Sequence, residues 1–346
     1  MLRRWWRLFG PSHFFLCPCF LRVRSFVRSF LARSFACTLV LHSSAFWELA
    51  PYIPGATAAN VEAQCKPFMI ENAGKAFEFM TDSCNEERKA AGLPPIAEAR
   101  GNATGGAIDA ALAAVVDGHR AKFGLPPLAE ANAGATSGEG SEEAFLQLQK
   151  DETVAALGKC ARANAGVVPT LVDLQAGGVK YSIATTSGKP RVPVCVDAAS
   201  LRPFFPPDKI HSGESDFDPP KFKPAPDVYL RAAAGEGKNP AACVAVEDSA
   251  SGVGSAANAG CGLIVGYVGA THIPAERKDS HAKMLMEGKR ADDGRGAEVV
   301  ISEFQDLLPI VAHFNACYQA SEAAAGFLPL PESLTQSFKG PFWVRS

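Results

Sequence analysis

Cys243-Val244-Ala245-Val246-Glu247-Asp248-Ser249-Ala250-Ser251-Gly252 is an apolar run that stops abruptly on two acids, a serine and a loop glycine. Four uninterrupted apolar residues, two of them valines, predict a strand buried on both faces. Downstream, Ser255–Ala259 reads as helix and Gly262–Val268 as the next strand. Residues 271–296 are polar and predict a loop, Val299-Val300-Ile301 a short last strand, and Phe304–Asn315 a last helix. Upstream, Lys223-Pro224-Ala225-Pro226-Asp227 opens a helix over Val228–Ala234, with Pro226 near its first position and Asp227 in its first turn. Tyr181–Thr185 predicts a strand that ends in Thr186-Ser187-Gly188, with helix over 191–201. Strands alternating with helices predict an α/β fold, a parallel sheet covered on both faces.

In such a sheet, ligands bind beyond the carboxyl ends of the strands. Three polar clusters fall there. Thr186, Ser187 and Gly188 offer hydroxyls and free backbone amides to phosphate oxygens. Lys223 offers positive charge where phosphate charge builds. Asp248, with Glu247 beside it, offers carboxylate oxygen to a hard cation such as Mg²⁺. Each residue alone would be unremarkable: a turn hydroxyl, a surface lysine, a solvated acidic pair. Their joint occurrence, in order and at strand ends, is what carries meaning.

The order hydroxyl, then K-P-A-P-D, then V-E-D-S-x-x-G resembles the second, third and fourth motifs of haloacid-dehalogenase-type hydrolases, in the branch of phosphoglycolate phosphatases and β-phosphoglucomutases. The resemblance is strong over about 167–315 and one of arrangement only over 42–165. It implies a Rossmann-like parallel sheet with an inserted helical cap. It also implies Mg²⁺-dependent hydrolysis of a small phosphorylated metabolite through an aspartyl-phosphate. Thr186 and Ser187 would bind the phosphoryl group and Lys223 would neutralise it. Asp248 would hold Mg²⁺, and Glu247 would support the metal water or Lys223.

The first motif of that family, Asp-x-Asp-Gly-Thr at the end of the central strand, is missing. One register takes Phe35–Leu41 as that strand and places Leu41 and Ser43 at the two carboxylate positions. A second, counted back from His42, Ala45 and Phe46, places Phe30 and Ala32 there. No register supplies an acid, because the first acidic residue of the chain is Glu48. The alternatives are therefore a non-catalytic member that binds anions and Mg²⁺, or an enzyme whose nucleophile-bearing start was lost in the gene model. In the mutase branch a cap arginine grips a second phosphate; Gly74-Lys75-Ala76-Phe77 has phenylalanine at that place, which argues against a mutase.

These readings divide the chain. Residues 1–34 form a tail, 35–44 and 167–316 the α/β core, 45–166 the helical cap and 317–346 a second tail. Within the cap, Gly92-Leu93-Pro94-Pro95-Ile96-Ala97-Glu98-Ala99 recurs as Gly124-Leu125-Pro126-Pro127-Leu128-Ala129-Glu130-Ala131. Two copies are too few for a solenoid and predict two helix–turn–helix units with Pro-Pro stops.

Composition sets outer limits. Residues 1–47 carry seven arginines and no Asp, Glu or Lys, so with a net charge of −2 the rest of the chain carries −9. An acidic body argues against nucleic-acid binding. The arginine-rich start suits an organellar transit peptide, plastid or mitochondrial, with a cytoplasmic protein as the alternative. Leu8–Leu21, the longest uncharged stretch near the start, is too short to cross a bilayer and contains Pro11 and Pro18. Ten scattered cysteines show neither a zinc-ligand spacing nor a disulfide framework. Finally, Gly252-Val253-Gly254-Ser255-Ala256-Ala257 matches G-x-G-x-x-A and raises dinucleotide binding as a second functional class. The acidic pair before it, and the absence of an acid after Val265-Gly266-Tyr267-Val268-Gly269, weigh against that class.

Overall fold

A computed structural model of the chain describes residues 30–32, 45–72, 77–101, 108–135, 138–321 and 323–345. The strands are β1 (Phe30–Ala32), β2 (Tyr181–Thr185), β3 (Ile210–Ser212), β4 (Val244–Glu247), β5 (Leu263–Tyr267), β6 (Val299–Ile301) and β7 (Phe342–Val344). They form one sheet in the order β3-β2-β1-β4-β5-β6-β7. The first six are parallel, and β7 runs antiparallel to β6. Every residue of β2 to β6 is buried, as continuous apolar runs covered on both faces require. From β1 the chain order proceeds to β2 and β3 on one side and to β4, β5 and β6 on the other. This Rossmann-like switch point opens a crevice at the carboxyl ends of β1 and its neighbours.

Two boundaries differ from expectation. The central strand is Phe30–Ala32, where the register counted back from His42, Ala45 and Phe46 puts Phe30 and Ala32 but inside the segment assigned to the tail, whereas Phe35–Leu41 and Ser43 of the other register lie outside the described residues. Phe30 pairs with Tyr181 on one side and Val244 on the other. Three residues are too few to show a period, and the longer apolar run Phe35–Leu41 is the stronger local signal. The described residues of 317–346 likewise belong with the core. Phe342-Trp343-Val344 adds an edge strand, Phe327 and Leu334 are buried in the main core, and Lys339 N–H donates to Asp306 Oδ1 at 2.7 Å. Side chain–backbone bonds of this kind are long-range, and local propensity carries no trace of them.

Among the described residues between β1 and Val167, the α-helices are α1 (residues 45–49), α2 (Val61–Glu71), α3 (Phe77–Ala90), α4 (Ile96–Gly101), α5 (Ala110–Lys122), α6 (Leu128–Ala131) and α7 (Ser141–Cys160). The repeat is more extensive than its eight-residue motif. Gly92 and Gly124, which end the two long helices, have φ of +70° and +68°, the left-handed conformation that glycine adopts without steric cost. In the first copy Arg88 Nε donates to Pro94 O at 2.7 Å and Ile96 N–H to Asn85 Oδ1 at 2.9 Å. In the second Arg120 Nε donates to Pro126 O at 2.7 Å and Leu128 N–H to Asp117 Oδ1 at 2.7 Å. The two arginines then diverge. Arg88 reaches the Tyr52 carbonyl at 2.5 Å, whereas Arg120 pairs with Glu48 and, at 2.5 Å, with Glu152. All three members of that cluster are buried.

The core helices follow: α8 (Val167–Ala176), α9 (Arg191–Ala198), α10 (Asp227–Gly235), α11 (Ala250–Asn258), α12 (Lys278–Met286), α13 (Leu307–Ser321) and α14 (Glu332–Thr335). Helix α12 falls in the segment expected as loop, seated by the fully buried Ala282 and Leu285. The helical layer meets the core where Leu157 and Ala156 of α7 pack on Cys195 of α9.

Candidate active site

The expected residues gather at the carboxyl edge, around the ends of β2 and β4. Lys223 lies in the loop before α10, and its side chain is fully buried. Its Nζ donates to the Ala184 carbonyl of β2 at 3.1 Å and to Glu247 Oε1 of β4. Tyr229 O–H donates to the same Glu247 oxygen at 2.6 Å, and Lys223 Nζ stands 4.7 Å above the Tyr229 ring centre. One ammonium thus ties together the two strands that flank β1. Of the two supports expected from Glu247, the geometry shows the one for Lys223: the carboxylate is buried and turned to the lysine and the tyrosine.

Asp248 is the first residue past β4. Ser249 then caps α11, its Oγ accepting from Gly252 N–H at 3.2 Å. Asp248 is 6% exposed. Two histidines that the sequence reading passed over approach it. His272 Nε2 is 3.9 Å from Asp248 Oδ2, and His281 Nε2 is 2.7 Å from the Asp248 carbonyl. They come from residues 271–296, expected as a polar loop; the signal available was two histidines in the segment that follows β5, the strand beside β4.

At the end of β2 the picture shifts by one residue. Thr185 is 4% exposed, and its Oγ1 accepts from Ser187 N–H at 3.1 Å. The hydroxyl that shapes the turn belongs to Thr185, the last strand residue, beside the expected Thr186. Thr186 and Ser187 are half-buried on the loop, and the Ser187 carbonyl accepts from Ser212 Oγ at 2.9 Å. Gly188 is where side chains crowd the loop: a Cβ there would lie 2.7 Å from Glu214 Oε1. Glu214 in turn pairs with Arg191, and Lys189 with Asp216 at 2.5 Å. Against the opposing effect of burial, Lys189 and the Ser212 N–H hold Asp216 below the usual carboxylate range.

Residues 69–260, more than half of the 346-residue chain, match the family model of the haloacid dehalogenase-like hydrolases. The chain belongs to that family. Protein CbbY of Rhodobacter capsulatus is 34% identical over 132 residues, which are 36% of this chain and 56% of that protein. The match therefore spans little more than half of that curated relative. Among solved structures, a conserved haloacid dehalogenase-like protein of unknown function from Agrobacterium tumefaciens aligns over 83% of this chain and 97% of its own, at 20% identity and a TM-score of 0.45. CbbY from Rhodobacter sphaeroides in complex with phosphate aligns over 50% of this chain and 68% of its own, at 22% identity and a TM-score of 0.37.

Within this family setting, the glycines of α11 have a packing role. A Cβ on Gly252 would overlap the Glu247 carboxylate, and one on Gly254 would overlap the Arg290 backbone. Both glycines serve close internal approach, so the G-x-G-x-x-A pattern needs no dinucleotide to explain it. For a metal, no three His, Cys, Asp or Glu side chains cluster among the described residues. The donor chemistry at Asp248, one carboxylate at a strand end beside a candidate phosphate loop, fits Mg²⁺. That ion is commonly held by one or two carboxylates plus phosphate and several waters.

Proposed function

We propose that the carboxyl edge of the sheet is a phosphatase-type pocket for the phosphoryl group of a small phosphomonoester. The carrying observation is Lys223, fully buried yet hydrogen-bonded across β2 and β4, with Asp248 at the adjoining strand end. A buried ammonium beside a loop of hydroxyls and backbone amides attracts an anion. Lys223 would neutralise the phosphoryl oxygens, Glu247 and Tyr229 would hold the lysine in place, and Thr186, Ser187 and Gly188 would donate to the oxygens. Asp248 would hold Mg²⁺, which when bound draws charge from a phosphoryl oxygen.

Hydrolysis by way of an aspartyl-phosphate needs a carboxylate at the end of the central strand. The three residues of β1 are Phe30, Leu31 and Ala32, and no acid precedes Glu48. The pocket of this chain is therefore read as one that binds phosphate and turns it over only when an aspartate-bearing segment fills the β1 slot. Calorimetric titration with inorganic phosphate, with and without Mg²⁺, tests the reading. Binding should be present in the wild type, weaken in Lys223→Ala, and lose its Mg²⁺ dependence in Asp248→Asn. Phosphate binding that neither substitution alters would remove the pocket from this edge.

A further inference from the structure

The Asp248 carbonyl lies outside the α11 hydrogen-bond ladder, because Ser249 is the N-cap residue. It is taken up instead by His281, 2.7 Å away on α12. A carbonyl only accepts, so His281 Nε2 carries the proton in this contact. The histidine is firmly based. Its neighbour Ala282 and, one turn on, Leu285 are fully buried, and α12 packs against β5 and β6. On its other side Asp248 meets His272, whose Nε2 is 3.9 Å from Oδ2.

We propose that His281 is a positioning residue for the Asp248 carboxylate. Fixing the carbonyl fixes the peptide plane after Asp248, and with it the direction in which the side chain leaves the backbone. That peptide stands between a strand tip and a helix cap, and the imidazole of α12 holds its carbonyl. The proposal rests on the reading of Asp248 as a cation ligand. It adds that the second half of the ligand geometry comes from a segment more than thirty residues later.

Mn²⁺ serves as the probe, with free ion counted by its paramagnetic resonance signal in the full-length protein. Loss of a group that orients a ligand typically costs about tenfold or more in metal affinity. His281→Ala should therefore weaken Mn²⁺ about tenfold without a matching fall in melting temperature. His281→Gln, whose amide can donate to the same carbonyl, should recover most of the affinity. If His281→Ala does not fold, His281→Met against His281→Gln gives the same contrast between filling the space and donating the bond. Wild-type affinity in the Ala or Met variant, or a Gln variant no better than either, overturns the proposal while Asp248→Asn still abolishes binding. Unchanged Mn²⁺ binding in Asp248→Asn overturns the cation reading of Asp248 itself.

Discussion

Lys223 and Glu247 form an ion pair in which neither side chain reaches solvent. Such a pair is costly to break from one side, because the survivor remains buried and charged. Lys223→Met should lower unfolding free energy by about 3–5 kcal/mol. Adding Glu247→Gln should restore much of it, since a neutral amide keeps an oxygen for Tyr229. Denaturant unfolding of the two variants measures this, and a double variant no better than Lys223→Met would show that the charge left behind is not the cause. Glu48 makes a different prediction. Burial, together with its hydrogen bond to Glu152, raises its carboxyl well above the ordinary value of 4.5 despite Arg120. The folded state then binds the proton more tightly than the unfolded state. The stabilisation from Glu48 is complete below about pH 4.5 and is lost as pH rises through the raised folded value. Glu48→Gln should abolish that slope and become more stable than wild type as pH rises. Melting curves that fall in parallel for both proteins would contradict this.

At the scale of elements, glycine reads differently in two helices. Gly118 sits inside α5 with nothing within 4 Å of a notional Cβ, whereas Gly252 in α11 has the Glu247 carboxylate in that space. Gly118→Ala should stabilise by about 0.5–1 kcal/mol, the ordinary helix preference for alanine. Gly252→Ala should destabilise by about 1–3 kcal/mol through overpacking and should also weaken phosphate binding, because it displaces the partner of Lys223. Equal thermal shifts for the two variants would remove the close approach of α11 to Glu247. The repeat teaches a related lesson. Both copies keep the arginine, the left-handed glycine and the proline carbonyl, so the turn is a local device that the sequence repeats intact. What each arginine does with its remaining nitrogens depends on which turn of the segment 45–52 lies opposite, and the two copies differ there.

At the scale of the whole molecule, the candidate residues Thr186, Lys223 and Asp248 follow strands that flank β1, whose residues Phe30, Leu31 and Ala32 include no acid. Removal of a catalytic nucleophile typically costs on the order of 10⁶ in turnover. The chain should therefore not hydrolyse p-nitrophenyl phosphate or phosphoglycolate at a useful rate. A chimera in which residues 1–44 are replaced by an apolar strand ending in Asp-x-Asp-Gly-Thr-Leu, joined ahead of Ala45, should gain Mg²⁺-dependent activity. That activity should vanish with Lys223→Ala or Asp248→Ala. Turnover by the unaltered chain would refute the missing nucleophile, and a folded but inactive chimera would refute the pocket.

The sequence by itself determined β2, β4, β5 and β6 with helices α9, α10, α11 and α13, but neither β3 nor α12; it also determined the ends of β2 and β4 and the candidate residues Lys223, Glu247 and Asp248. Those signals are local: apolar runs long enough to show burial, and polar residues at their ends. It also determined that residues 1–47 contain no acid, which is a matter of counting. Tertiary structure decided what local pattern cannot carry. Phe30–Ala32 and Phe342–Val344 are too short to announce themselves, and become strands because a neighbour offers unpaired backbone groups. Lys223 turns to Glu247 rather than to solvent, Thr185 rather than Thr186 closes the turn, and His272 and His281 meet Asp248 across the ends of adjoining elements. Except for the Thr185 turn, which is local, each of these is a contact between segments brought together by burial of the sheet, and burial is a property of the folded chain.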